Sequence, residues 1–246
     1  MLFLIYINDA PIINHVKNVI FADDKGLITN SYRVDTIVKR LSDSSNKNVK
    51  FFEKWKIKTN NQKVKAIVFT KRRPFINNNI SVSKSKIPWY KNVKYLGIIF
   101  DPKLTFTCHI NSITNKAIAM LILFHPLLNR NSKLSVDNKL NIYKMIVRPI
   151  ICYAAPVWSL ISKSNFNKLQ VVQNKFLRLI GKFRKFTPIH VIHNKLGVEM
   201  IHSYIRNLSI NYFNKIENHN NQLISSIRYV NSKYKHKKIM HIIYNN

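Results

Sequence analysis

Acid is scarce in this sequence. Its 246 residues hold 41 Lys and Arg against 10 Asp and Glu, a formal charge of +31, and the isoelectric point is about 10.3. Solubility alone asks for far less, so the excess points to a polyanionic partner. Nucleic acid is the first candidate, because each neutralised phosphate releases condensed counterions, with a slope of roughly 0.9 per contact in log affinity against log salt. An acidic membrane surface is the other common explanation. The accompanying richness in Asn, Ile and Tyr also allows part of the Lys and Asn load to come from nucleotide bias in the coding sequence.

Cysteine is scarce too. Cys108 and Cys152 lie in apolar surroundings without zinc-like spacing, which excludes a disulfide framework and predicts buried thiols in a reduced, intracellular setting. No run of ~18 apolar residues is present to span a bilayer. The apolar start, Met1 to Ile7, has no basic flank and meets Asn8-Asp9 at once, so it does not read as a signal peptide. It reads instead as a helix entered partway through, and a longer parent is expected. Without a secretory signal the sequons at Asn79 and Asn207 carry no meaning.

What is present suffices for a real core, since 46% of residues are hydrophobic. The opening apolar stretch ends at Asn8-Asp9-Ala10-Pro11, a helix end followed by a turn. Short β-prone runs, Val16 to Ile20 and Leu27 to Thr29, flank Asp23-Asp24-Lys25-Gly26 and predict a hairpin with the two acids at its tip. Apolar residues recur at helical spacing between Tyr32 and Lys58, with an interruption expected near Ser44-Ser45. Ala66 to Phe69, Ile80 with Val82, and Val93 to Phe100 read as strands of a small antiparallel meander turning at Asn77-Asn78-Asn79. Beyond Leu104 the period becomes helical, with helices expected over ~109–128, ~135–148, ~150–161 and ~164–181 and a break at Pro149. Helical hairpins come after Gly181, and the last residues are expected to fray.

Two adjacent acids on a hairpin tip suit a divalent cation, because hard Mg²⁺ prefers carboxylate oxygens. A solvated Asp-Asp turn is the commoner occurrence. Asp23 and Asp24 are, however, 2 of only 10 acids in a chain of charge +31, and acid concentrated at one rigid point implies a purpose. His190 and His193 lie three apart, but no third ligand of matching spacing accompanies them, so they are read as ordinary side chains. Tyr153, Trp158, Phe176 and Leu177 fall in apolar periodic stretches and are assigned to the core.

Leu2-Phe3-Leu4-Ile5-Tyr6-Ile7-Asn8-Asp9 followed by Phe21-Ala22-Asp23-Asp24 closely resembles the palm of non-LTR retrotransposon reverse transcriptases, where an apolar helix ending in Tyr-Ile-Asn-Asp precedes a Tyr/Phe-Ala-Asp-Asp hairpin. The resemblance continues in order. Asn60-Asn61-Gln62-Lys63 leading into Ala66-Ile67-Val68-Phe69 resembles the family's Asn-Pro-Ser-Lys-Thr segment and strand. Val93 to Asp101, with Tyr95-Leu96-Gly97, resembles its primer-grip hairpin, and Leu104-Thr105-Phe106 with His109 resembles the segment just after that hairpin. Arg148-Pro149, Ala155-Pro156-Val157-Trp158 and Leu169-Gln170-Val171-Val172-Gln173-Asn174 resemble the thumb of the jockey-like elements. The match covers roughly residues 1 to 210.

The resemblance implies an α+β fold: part of a reverse-transcriptase palm, an antiparallel sheet with helices, followed by an all-helical thumb. The palm part would be 1–103, the thumb 104–181, and a basic helical extension 182–246. It implies two-metal nucleotidyl transfer, with Mg²⁺ or Mn²⁺ ions about 3.5–4 Å apart. Asp23 would be a direct metal ligand and Asp24 a supporting or second ligand. Lys63 would protonate leaving pyrophosphate, although Asn61 and Val64 replace the family's proline and threonine. Tyr95, Leu96 and Gly97 would hold the primer end at attack distance, and packing under the thumb is the plainer role for the first two. Lys133, Lys139, Lys144 and Arg148 would track duplex phosphates; singly, each reads as a solvated cation. The implied partners are an RNA template, a DNA primer and deoxynucleoside triphosphates, without a membrane or a definable protein partner, in the nucleus or cytoplasm, with the nucleus expected for target-site reverse transcription. Asp9 and Asp101 sit in turns and are not assigned to catalysis. The partner carboxylate of the family lies upstream of the opening helix. The chain is therefore expected to be inactive alone, and poorly soluble because of an open sheet edge. The alternatives are a non-catalytic basic nucleic-acid-binding remnant and an unrelated basic RNA-binding protein of ribosomal type.

Overall fold

The structure, a computed structural model, describes residues 7, 9–71, 79–83 and 85–225. The opening apolar helix and the Asn77-Asn78 part of the predicted turn lie outside them, apart from helical Ile7. The class is α+β, and the chain divides into two compact units, 1–104 and 105–246.

The first unit opens with a hairpin of β1 (Val16–Phe21) and β2 (Asp24–Thr29), paired from Val16↔Thr29 to Phe21↔Asp24. Helix α1 (Val34–Lys54) packs across it. This helix runs unbroken through Ser44-Ser45, where an interruption was expected. Ser44 and Asn48 are buried on its inner face; the Asn48 side-chain amide donates to the Ser44 carbonyl at 2.9 Å, while the Ser44 hydroxyl is buried without a hydrogen-bond partner among the described residues. Hairpins β3 (Ile80–Val82) with β4 (Ser85–Ile87) and β5 (Val93–Tyr95) with β6 (Ile98–Phe100) complete the unit.

The expected meander is therefore three separate two-stranded antiparallel sheets among the described residues. Ala66 to Phe69 is not a strand of its own: Ala66 makes one parallel bridge to Trp89, its carbonyl accepting from the Tyr90 amide at 2.8 Å. Ile80, Val82 and Ile87 form the buried centre, with Leu41, Val49, Ala66 and Trp89 packed on it. The exposed edge of β3 is covered by α1, since the Ser42 hydroxyl accepts from the Ser81 amide (2.9 Å) and the Asn46 side chain from the Ser83 amide (2.6 Å). Side-chain acceptors thus complete a strand edge that would otherwise recruit another chain.

The second unit is helical: α2 (Thr107–Leu123), α3 (His125–Leu128), α4 (Val136–Ile142), a π-helical segment (Tyr143–Val147), α5 (Arg148–Cys152), α6 (Ala155–Trp158), α7 (Lys163–Ile180), α8 (Ile189–Leu196), α9 (Ile201–Glu217) and α10 (Gln222–Ser225). Ser135 and Ser162 cap α4 and α7 by accepting from the amides three residues on, the expected device for orphan helix donors. Pro149 does not break the run as predicted. The π segment immediately before it takes up the register change that a missing N–H imposes, and the break falls at Tyr153-Ala154, where Ala154 has φ 50°.

Trp158, Phe176 and Leu177 are fully buried as expected, but Tyr153 is 54% exposed. It ends α5, and its carbonyl accepts from the Trp158 indole at 2.8 Å. Of the two cysteines only Cys152 is buried, its thiol pushed up to about 12 by desolvation; Cys108 is exposed. Among the described residues no helix is long and apolar enough to cross a membrane.

Candidate active site

The Phe21-Ala22-Asp23-Asp24 stretch closes the first hairpin. Phe21 pairs with Asp24, so the connection is the two residues Ala22 and Asp23, and Asp24 already belongs to β2. Lys25 and Gly26, expected in the turn, are strand residues. Ala22 takes φ 50°, a left-handed conformation that costs an alanine about 1–2 kcal/mol. Both aspartates are exposed.

Alternation along the strands sends successive side chains to opposite faces. Lys25 goes toward α1: its ammonium donates to the Asn48 side chain and lies 5.3 Å from the centroid of the Phe52 ring. Burial there pushes it down to about 8. The opposite face holds Phe21, Asp24 and Gly26. A Cβ on Gly26 would stand 3.8 Å from both Cζ and Oη of Tyr95, so the tyrosine ring lies directly over the glycine. The Tyr95 hydroxyl is buried without a hydrogen-bond partner among the described residues. Its pKa is raised, first by burial and then by the charge of Asp24.

Tyr95 is the last residue of β5, and Leu96 (φ 45°) and Gly97 (φ 81°) form the turn into β6. Positive φ at both central residues is what a tight hairpin of the right twist requires; the glycine adopts it freely and the leucine does not. The structure therefore brings Asp24 and Tyr95, far apart in sequence, into one place. Nothing in local sequence pattern marks Gly26 as the seat of a tyrosine; only the three-dimensional packing reveals it.

Lys63 ends a single 3₁₀ turn, Asn61–Lys63, with its side chain exposed. Among the described residues no hydrogen bond or ion pair joins it to either aspartate. In the helical unit Lys133 is exposed and Lys144 half-buried. The Arg148 guanidinium lies 4.3 Å above the Tyr204 ring. Lys139 is 1% exposed and donates to the Asn129 carbonyl at 2.8 Å, with its pKa lowered by burial and by Lys182. It is not a solvated cation facing a phosphate. The signal was in the sequence, since Lys139, Tyr143 and Val147 recur at intervals of four on the buried stripe.

His193 is buried, its Nδ1 2.7 Å from the Val198 carbonyl and its Nε2 3.1 Å from the Asn174 side chain, a structural role. Among the described residues no three His, Cys, Asp or Glu side chains gather into a metal-holding group. Asp23 and Asp24 offer the oxygen chemistry a hard cation takes, two exposed carboxylates at the end of the β1–β2 hairpin, and no third such ligand joins them among the described residues.

The chain is similar to RNA-directed DNA polymerases of mobile elements. It is 28% identical over 232 residues, 92% of its length, to a probable RNA-directed DNA polymerase from transposon X-element of Drosophila melanogaster. It is 30% identical over 205 residues (82%) to the RNA-directed DNA polymerase from mobile element jockey of Drosophila funebris, and 27% identical over 230 residues (90%) to that of Drosophila melanogaster. The matched stretch is 22–25% of each relative, so the chain spans about a quarter of the length of the curated relatives it matches. No family model and no solved structure matches it.

Proposed function

We propose, from the premise that this chain belongs with the reverse transcriptases of jockey-like non-LTR retrotransposons, that it holds a template–primer duplex and supplies one side of a two-metal nucleotidyl-transfer site. The observation that carries this reading is the seat of Tyr95 on Gly26, two residues beyond Asp24. It sets the hairpin resembling a primer grip against the hairpin carrying the acids, the juxtaposition needed to hold a primer end beside a metal.

On this reading the first unit is palm and the helical unit thumb. Asp23 and Asp24 would hold Mg²⁺ or Mn²⁺, which when bound stabilises charge on the transferring phosphoryl group. The chain's own contribution is placement. β1 and β2 fix the carboxylates, and Lys25 ties the hairpin to α1 through Asn48. The turn Leu96-Gly97 offers backbone to the primer, and holding reactants in line supplies much of the catalysis in such sites. Lys133 and Lys144 are the duplex-phosphate candidates whose ammonium groups remain available, and Lys63 remains a candidate proton donor.

A second reading has its own support. No third ligand joins the two acids among the described residues, which favours a nucleic-acid-binding protein without chemistry. The two separate on the metal: with an RNA template annealed to a DNA primer, the first reading expects Mg²⁺ or Mn²⁺ to strengthen binding by the parent and not by Asp23→Ala, and the second expects no difference between them. Binding that weakens steeply between low and physiological salt is expected, without incorporation by the chain alone. Incorporation that survives Asp23→Ala overturns the metal assignment, and a flat salt response overturns phosphate-driven binding altogether.

A further inference from the structure

Residues 181–187, in the connection between α7 and α8, form a built loop with one side chain left out. Phe183 folds back over the helix end: a Cβ on Gly181 would lie 2.2 Å from its Cε2, so any larger residue there would displace that ring. Lys182 takes φ 56° and the Phe183 amide donates to the Arg178 carbonyl at 3.0 Å, the bond that closes a helix with a left-handed residue. Arg178 then reaches across the loop, its guanidinium donating to the carbonyls of Arg184 (3.0 Å) and Thr187 (2.9 Å). A further bond from the Thr187 amide to the Arg184 carbonyl, 3.1 Å, tightens the turn.

On this braced backbone the two phenylalanines go opposite ways. Phe183 is tucked against Gly181, while Phe186 is 89% exposed and forgoes the burial an aromatic side chain ordinarily gains. Lys182, Arg184 and Lys185 surround it in sequence and are exposed. No acid occurs anywhere between Asp137 and Glu199, so nothing in this part of the chain neutralises them. A rigid loop that presents an aromatic face among uncompensated cations has the two elements of single-strand recognition, a stacking platform and a phosphate track. A blunt duplex offers the first of these only its two terminal base faces, because all the others are already stacked on each other.

We propose that the loop 181–187 is a docking surface for an unpaired nucleic-acid strand, a base stacking on Phe186 and the backbone phosphates meeting Lys182, Arg184 and Lys185. The inference rests on the template–primer reading only in that the unpaired strand would be template beyond the duplex. Arg178 and Gly181 are positioning residues, acting through the shape of the loop.

The test compares the full chain with Phe186→Ala, Phe186→Trp and Lys185→Ala, by fluorescence anisotropy on a labelled single-stranded RNA and on a blunt RNA–DNA duplex, with thermal melts to check folding. Phe186 contributes nothing to the core, so the variants should melt with the parent. Phe186→Ala should weaken the single strand about tenfold and the duplex less than about twofold, with Phe186→Trp restoring binding. Lys185→Ala should lower the log–log salt slope by about 1 or less. If the parent binds both probes and Phe186→Ala binds the single strand as well as the parent does, the loop proposal fails and template–primer binding stands. If the parent binds neither probe, both fail. Loss of binding to anionic phospholipid vesicles in Phe186→Ala, with RNA binding unchanged, would make the loop a membrane contact and overturn the proposal.

Discussion

Tyr95 lies over Gly26, its Cζ and Oη each 3.8 Å from where a Cβ would stand. That separation is ordinary van der Waals contact for one methyl group and too little for a larger side chain. Gly26→Ala should therefore fold with a stability within about 1 kcal/mol of the parent, whereas Gly26→Leu should lose about 1–3 kcal/mol by overpacking. Urea unfolding with near-ultraviolet circular dichroism, which reports the tyrosine environment, distinguishes them. Equal midpoints for the two variants would remove Gly26 as the seat of Tyr95.

The Tyr95 hydroxyl has no partner among the described residues, and a buried unmade hydrogen bond costs about 1–3 kcal/mol. Tyr95→Phe should then be neutral or stabilising by up to about 1 kcal/mol, the reverse of the usual loss when a satisfied tyrosine is truncated. A thermal melt decides, and a clear drop in melting temperature would mean that the hydroxyl is satisfied in solution.

Lys25 carries a pKa pushed from 10.5 down to about 8 by burial. Between these values the unfolded chain binds the proton more tightly than the folded one, so this group's contribution to stability rises with pH over about 8 to 10.5. Below that window its charged form opposes folding. Lys25→Met should remove the rise, about 1–2 kcal/mol once solvent screening at a half-buried site is discounted. Amide exchange of the β1–β2 hairpin across this range measures it, and identical pH profiles for parent and variant would contradict the assignment.

His109 behaves in the opposite pH region. Burial beside Trp158, with ring centroids 6.0 Å apart, and the nearby charge of Lys116 push its pKa from 6.5 down to about 4. The unfolded chain takes up the proton first, so stability is lost as pH falls from about 6.5 to 4 and is fully present above it. His109→Phe should flatten this limb by about 1–3 kcal/mol in acid titrations monitored by tryptophan fluorescence.

Lys139 separates a structural cation from a binding one. Lys139→Met should change stability by less than about 1.5 kcal/mol, because the stem already packs in the core, while Lys139→Glu should be strongly destabilising through an unpaired buried charge. Lys139→Met should leave both the salt dependence of binding and the affinity for a template–primer unchanged. Loss of one phosphate contact in Lys139→Met, seen as a shallower salt slope, would return the residue to the binding face.

The linear sequence was enough to determine the class, the family and the acidic hairpin. These depend on residue order and on short-range periodicity: alternation around Asp23-Asp24, spacing of three and four in the helical half, and ordered motifs at the right separations. The continuous course of α1 through Ser44 and of the helical run through Pro149 was not legible, because burial of the inner face holds the helix through Ser44 and a register change answers the break signal at Pro149. Three separate hairpins in place of a meander, the inward turn of Lys25, and the exposure of Tyr153 were decided by packing, where competition for burial overrides a residue's usual preference. So was the meeting of Asp24 with Tyr95. It depends on the absence of a side chain at Gly26, and an empty space acquires meaning only when the fold brings a ring to fill it.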